Sequence, residues 1–184
     1  MRMFLRKSRV ERDPLAVTMS GVRLGEKALQ IGEGDRQVMA IIAARTGLTG
    51  TAVIVLLDDD AAMRVRRAID AAGTLAEVGV VDRDSSPADG AFDVVVVHDV
   101  SNTIASPQTA VRTGWLQLCR RVLRPGGRLV TIEPGSPVGF RALFGTAPKE
   151  AGETQGILAG AGFRNVRLLG DREGLRFLEA LKTE

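Results

Sequence analysis

The sequence predicts an α/β fold: one domain on a seven-stranded, mostly parallel sheet with helices on both faces. Three observations predict it. Short apolar or β-branched runs alternate with segments of helical periodicity. One run, Phe92 to Val97, is nearly continuous in valine, as a strand buried on both faces should be. The 184 residues are the size of a single domain, and 45% hydrophobic against 26% charged residues supplies a core and excludes a disordered chain.

Each element follows in order. Residues 1–20 read as a basic arm, with Arg2, Arg6, Lys7 and Arg9, ahead of a single domain over 21–184. Ala28 to Ile31 is an apolar run after Gly25-Glu26 and forms strand 1. Residues 36–46 carry Val38, Met39, Ile41 and Ile42 at helical spacing and stop at Gly47. Ala52 to Leu57 is strand 2. Asp60 to Ala72 is a helix with Asp60 as N-cap, Met63, Val65 and Ile69 inward, and Gly73 as its stop. Leu75 to Val81 is strand 3, and the short stretch between it and strand 4 leaves little room for a helix. Pro107 to Val122 is a helix whose Trp115 and Cys119, four apart, face the core. Arg124-Pro125-Gly126-Gly127 suits a type II turn, with strand 5 over Arg128 to Ile132. A Pro/Gly-rich stretch, 133–148, breaks the alternation. Glu150 to Ala161 is the last helix. Phe163 to Leu169 and Leu175 to Leu181 form an antiparallel hairpin, because their link is too short for a crossover.

Composition narrows the function. One cysteine, Cys119, excludes an internal disulfide and makes a cytoplasmic location the expectation. With one histidine, His98, no His/Cys zinc site can form, and no acidic cluster argues for another metal. No apolar run is long enough to span a membrane. The basic arm could touch an anionic surface. With no tyrosine and one tryptophan, the chain has little for stacking on bases, which argues against a nucleic-acid partner.

In a sheet of this kind ligands bind beyond the carboxyl ends of the strands. The first such turn is Gln30-Ile31-Gly32-Glu33-Gly34-Asp35-Arg36. Glycines at 32 and 34 let the backbone turn tightly and approach a ligand. A dinucleotide site also needs an acid near the end of strand 2, about 20 residues on, to accept ribose hydroxyl hydrogens. Asp58, Asp59 and Asp60 stand there, and Asp58 ends the strand. Asp82 or Asp84, after strand 3, could accept from an adenine amino group.

Four pieces resemble the small-molecule methyltransferases of the ubiquinone/menaquinone-biosynthesis type. They are Ala28 to Gly34 (ALQIGEG), Asp89 to Val97 (DGAFDVVVV), Val122 to Val130 (VLRPGGRLV) and Leu158 to Phe163 (LAGAGF). The resemblance covers roughly residues 20 to 183. It implies a Rossmann-like strand order 3-2-1-4-5-7-6 with strand 7 antiparallel, and S-adenosylmethionine as cofactor. It places Gly32 and Gly34 under the methionine part, Asp58 by the ribose, Asp82 by the adenine and His98 to Ser101 facing the methyl donor; Asp59, next to Asp58, is a further cofactor-binding candidate. His98 then has two candidate roles, lining the cofactor pocket or serving as the base that deprotonates an acceptor.

The pattern is broken at two positions. The family acid that holds the cofactor's ammonium group is Gln30 here, and the third glycine is Arg36, while Glu33 and Asp35 add negative charge to the loop. The leading expectation is methyl transfer to a small, apolar molecule. The alternative is a methyltransferase-fold protein that binds without catalysis, motivated by Gln30 and Arg36. Val138, Phe140, Leu143 and Phe144 mark 133–148 as an apolar lid; cover for the sheet end, or a homodimer contact, is the competing reading.

Overall fold

The computed structural model describes residues 14–80, 87–99, 109–135 and 151–184. Seven strands form one sheet in the order β3-β2-β1-β4-β5-β7-β6. They are β1 (Lys27–Glu33), β2 (Thr51–Leu56), β3 (Glu77–Val80), β4 (Phe92–Asp99), β5 (Leu123–Pro134), β6 (Arg164–Arg172) and β7 (Leu175–Leu181). Strands β1 to β5 pair in parallel, and β7 lies antiparallel between β5 and β6. The β6–β7 hairpin turns on Glu173 and Gly174, both at positive φ (58° and 74°), which fits a two-residue type I′ turn.

Five helices accompany the described strands: α1 (Leu15–Met19), α2 (Arg36–Ala44), α3 (Asp59–Ala72), α4 (Thr109–Val122) and α5 (Ala151–Gly160). Side-chain alternation assigns them to faces. Ala28, Val94, Val96, Val130 and Phe177 pack with Ala16 and Val17 of α1 and Ile42 of α2, while Ala52, Ile54 and Leu56 pack with α2 and α3. The other face of the same strands, Leu29, Ile31, Val95, Val97, Leu129 and Leu178, packs with Leu116, Cys119 and Val122 of α4 and Leu158 of α5. Cys119 is fully buried and Trp115 partly so, in that second layer.

Several boundaries move. Residues 15–19, assigned to the arm, form α1 with Ala16 and Val17 in the core. The cap of α3 is Asp58, not Asp60: its backbone is extended and its Oδ1 accepts the Ala61 N–H at 2.7 Å. Met63 points outward at 46% exposure, because Ala61, Ala62, Val65 and Ile69 already fill the buried stripe. Strand β5 begins at Leu123, which pairs with Phe92. The Arg124–Gly127 turn interrupts the register before Arg128 pairs with Val94, and Gly126 takes the positive φ (72°) expected of its third position.

That turn is a lock on the amino edge of the sheet. Asp93 of β4 accepts from the Lys27 N–H at 2.8 Å and from Arg124 Nε at 2.6 Å. Burial opposes ionisation of its carboxyl, but these donors outweigh burial and hold it below the usual carboxylate range. Lys182 exchanges backbone bonds with Gly126 and Gly127. The family-like segment VLRPGGRLV is thus structural, at the end of the sheet remote from the glycine loop.

Candidate functional site

Strand β1 delivers the glycine loop at its carboxyl end. Gly32 sits at φ 90°, and a Cβ there would meet the His98 carbonyl oxygen at 2.6 Å. A Cβ on Gly34 would come within 2.5 Å of His98 Nδ1. Both glycines are therefore required by His98 of the neighbouring strand, which fills the space behind the loop.

His98 is buried, and its Nε2 lies 2.9 Å from Gln30 Oε1. Gln30, also buried, donates through Nε2 to the Met39 carbonyl of α2 at 2.9 Å. The amide nitrogen is committed to that carbonyl, so Oε1 is an acceptor and the imidazole proton belongs on His98 Nε2. Nδ1 is left bare towards Gly34. Burial drops the His98 pKa to about 4, only partly countered by the Asp35 carboxylate. The ring is neutral at ordinary pH, and Gln30 is occupied inside the protein.

The loop then enters α2 through Asp35, whose Oδ1 accepts from the Gln37 and Val38 N–H groups at 2.8 and 3.2 Å. Beside it opens a cavity of about 440 Å³, lined by Glu33, Gly34, Asp35, Arg36, Gln37, Leu56, Ala61, Arg64 and Val65. It offers acids, arginines and an apolar floor at the carboxyl ends of β1 and β2. A larger cavity, about 780 Å³ between α4 and α5, holds none of the loop residues; Lys182, which lines it, belongs to the amino edge.

The sequence-derived candidates divide here. Gln30, Gly32, Glu33, Gly34 and His98 come together. Asp58 and Asp59 follow the adjacent strand β2, exposed and outside the residues lining the cavity, with Asp58 capping α3. Asp82 lies outside the described residues, as do residues 100–101 and 136–148 of the expected methyl-donor loop and lid. Glu133, assigned to the start of the lid, is a buried residue of β5.

A second polar group escaped sequence reasoning. Register pairs Glu33 with Asp99, Glu133 with Arg176, and Arg176 with Asp171. The next step beyond the His98–Ile132 pair sets Asp99 beside Glu133. Residues paired across strands share a face, so this row runs over the α4/α5 side, opposite His98. Asp99, Glu133 and Arg176 are buried. Thr154 of α5 donates to Glu133 Oε2 at 3.0 Å, and Arg176 reaches Glu133 at 3.5 Å and Asp171 at 3.0 Å. Burial raises the Glu133 pKa and Asp99 adds to it, while Thr154 and Arg176 oppose. The one available signal was charge inside otherwise apolar strand patterns: Asp99 after the valine run and Arg176 within Leu175–Leu181. Among the described residues no acidic or His/Cys group is arranged to hold a metal ion, and no helix is long and apolar enough to cross a membrane.

Comparison with known proteins agrees with the fold. A family model described as a methyltransferase domain matches residues 29–131. The ubiquinone/menaquinone biosynthesis C-methyltransferase of Ectopseudomonas mendocina is 30% identical over 128 residues, 66% of this chain and 48% of that protein. This chain spans about half the length of the curated relatives it matches. Among solved structures, a SAM-dependent methyltransferase from Aquifex aeolicus superposes with a TM-score of 0.73 at 18% identity, covering 91% of this chain and 87% of that one. The structure described as PigF with SAH superposes at 0.62 with 19% identity, over 85% and 50% of the two chains. With more than half of its residues matched and the seven strands in the expected order, the chain belongs to the methyltransferase domain family.

Proposed function

We propose that the chain is an S-adenosylmethionine-dependent methyltransferase acting on a small, largely apolar molecule, with the cofactor in the cavity beside Gly34. The observation that carries this is the lining of that cavity. A zwitterionic amino-acid end finds partners of both signs there: Glu33 and Asp35 attract the ammonium, and Arg36 and Arg64 meet the carboxylate. Leu56, Ala61 and Val65 exclude water beneath the nucleoside. Asp58 keeps one oxygen on the Ala61 N–H and offers the other to a ribose hydroxyl, with Asp59 beside it adding negative potential. Gln30 and His98 support the loop from below. When bound, the cofactor supplies a methyl group on a sulfonium. In-line transfer from it draws much of its rate from positioning, which these residues perform.

The apolar side chains in the 136–148 sequence and the quinone-related names of the relatives support this acceptor class. Calorimetry with S-adenosylmethionine and S-adenosylhomocysteine tests the site. Binding of both is expected, and no heat at millimolar ligand would reject the assignment. Binding without methyl transfer to any hydroxylated aromatic acceptor would favour the non-catalytic alternative.

A further inference from the structure

We infer that His98, held by Gln30 as the Nε2–H tautomer, is a positioning residue for the cofactor loop, and that position 30 is an amide because an acid there would charge this ring. The inference rests on the proposed cofactor cavity. At Gly34 the imidazole leaves no room for a Cβ, while at Gly32 the obstructing group is the His98 backbone carbonyl. The ring therefore sets the height at which Glu33, Gly34 and Asp35 are presented to the cavity they line.

Gln30 fixes which edge of the ring carries hydrogen. Its amide donates to Met39, so it can only accept from Nε2, and the lone pair of Nδ1 is turned to Gly34. Glutamate has nearly the same shape, but its carboxylate 2.9 Å from Nε2 in a buried setting would stabilise the imidazolium. Nδ1 would then gain a hydrogen on the side of the ring that faces Gly34. The acid whose field reaches the ring is Asp35, and its Oδ1 already caps α2 through Gln37 and Val38. A charged His98 would draw Asp35 away from that cap and shift the loop. Among the described residues the other ionisable groups of these elements lie elsewhere: Glu33 and Arg36 line the cavity, and Asp99 and Glu133 lie on the opposite face of the sheet. An acid at position 30 thus weakens cofactor binding in this chain.

His98 is the only histidine, so a chain labelled with ¹⁵N-histidine gives one imidazole in a long-range ¹⁵N–¹H spectrum. The wild type is expected to show Nε2 protonated, Nδ1 bare and no titration between pH 8 and 5.5, with S-adenosylhomocysteine affinity insensitive to His98 over that range. Gln30→Glu is expected to show a charged ring and an affinity lower by about tenfold or more, falling further as pH drops. Gln30→Glu combined with His98→Asn, which cannot be charged, is expected to lose that pH dependence. Should Gln30→Glu fail to fold, His98→Asn alone carries the test: weaker S-adenosylhomocysteine binding without a new pH dependence. A wild-type ring protonated at Nδ1 overturns the inference, as does a Gln30→Glu chain that binds S-adenosylhomocysteine as tightly as wild type. Wild-type chain that binds no S-adenosylhomocysteine at all rejects the cavity itself, a separate failure from either of these.

Discussion

His98 shows how one side chain can answer a question that its sequence neighbours leave open. At the end of a valine strand it has the position of a base, and burial together with the bond to Gln30 keeps its ring neutral. The cost of that burial is readable in stability. The folded pKa of about 4 lies below the ordinary 6.5, so between those values the unfolded chain binds a proton that the folded chain does not. Stability from this group is complete above pH 6.5 and is lost as pH falls towards 4, by roughly 3 kcal/mol in all. Urea denaturation at pH 7 and pH 4.5 checks this. His98→Asn should lose less stability over that interval than wild type, and an equal loss in both chains would refute the assignment. Glycines 32 and 34 were legible as special in the sequence, but their cause was not, because the group that excludes a Cβ comes from a strand more than sixty residues away.

At the scale of elements the sequence was most informative where local chemistry decides. Gly47 and Gly73 follow α2 and α3 with positive φ, and the β-branched runs are the strands. It was least informative where three identical residues compete. Any of Asp58, Asp59 and Asp60 can cap a helix, and the choice falls to the one whose backbone is extended, Asp58 with φ −147° and ψ 163°. Asp58→Ala is expected to destabilise the chain by about 1 kcal/mol, and Asp60→Ala by less than about 0.5 kcal/mol. Paired urea melts measure both, and equal effects would return the cap to Asp60. Met63 faces outward because α3 buries a stripe of alanine, valine and isoleucine too narrow to need it. The start of β5 is hidden from local sequence because Leu123 pairs with Phe92, a partner outside any local window.

Across the whole molecule, order of strands decides what local patterns cannot. Asp99, Glu133, Arg176 and Asp171 meet only because β7 returns antiparallel between β5 and β6. Arg176, 3% exposed, serves two carboxylates at once. Arg176→Leu leaves them without their cation and is expected to cost roughly 3–5 kcal/mol at neutral pH. The deficit should shrink on acidification, since the raised pKa of Glu133 lets that carboxyl take a proton early. Chemical denaturation from pH 8 to 5 follows this, and a deficit constant with pH would show that packing alone was lost.

The late arrival of β7 has a consequence for how the chain is made. Until residues 175–181 emerge from the ribosome, β5 offers a bare row of amide and carbonyl groups along Leu129 to Ile132, the kind of open border to which another chain can attach. A product stopped before Leu175 would therefore be expected to clump instead of merely unravelling, and the nascent polypeptide relies on its seventh strand, guided by the tight bend at Glu173 and Gly174, to seal its own seam.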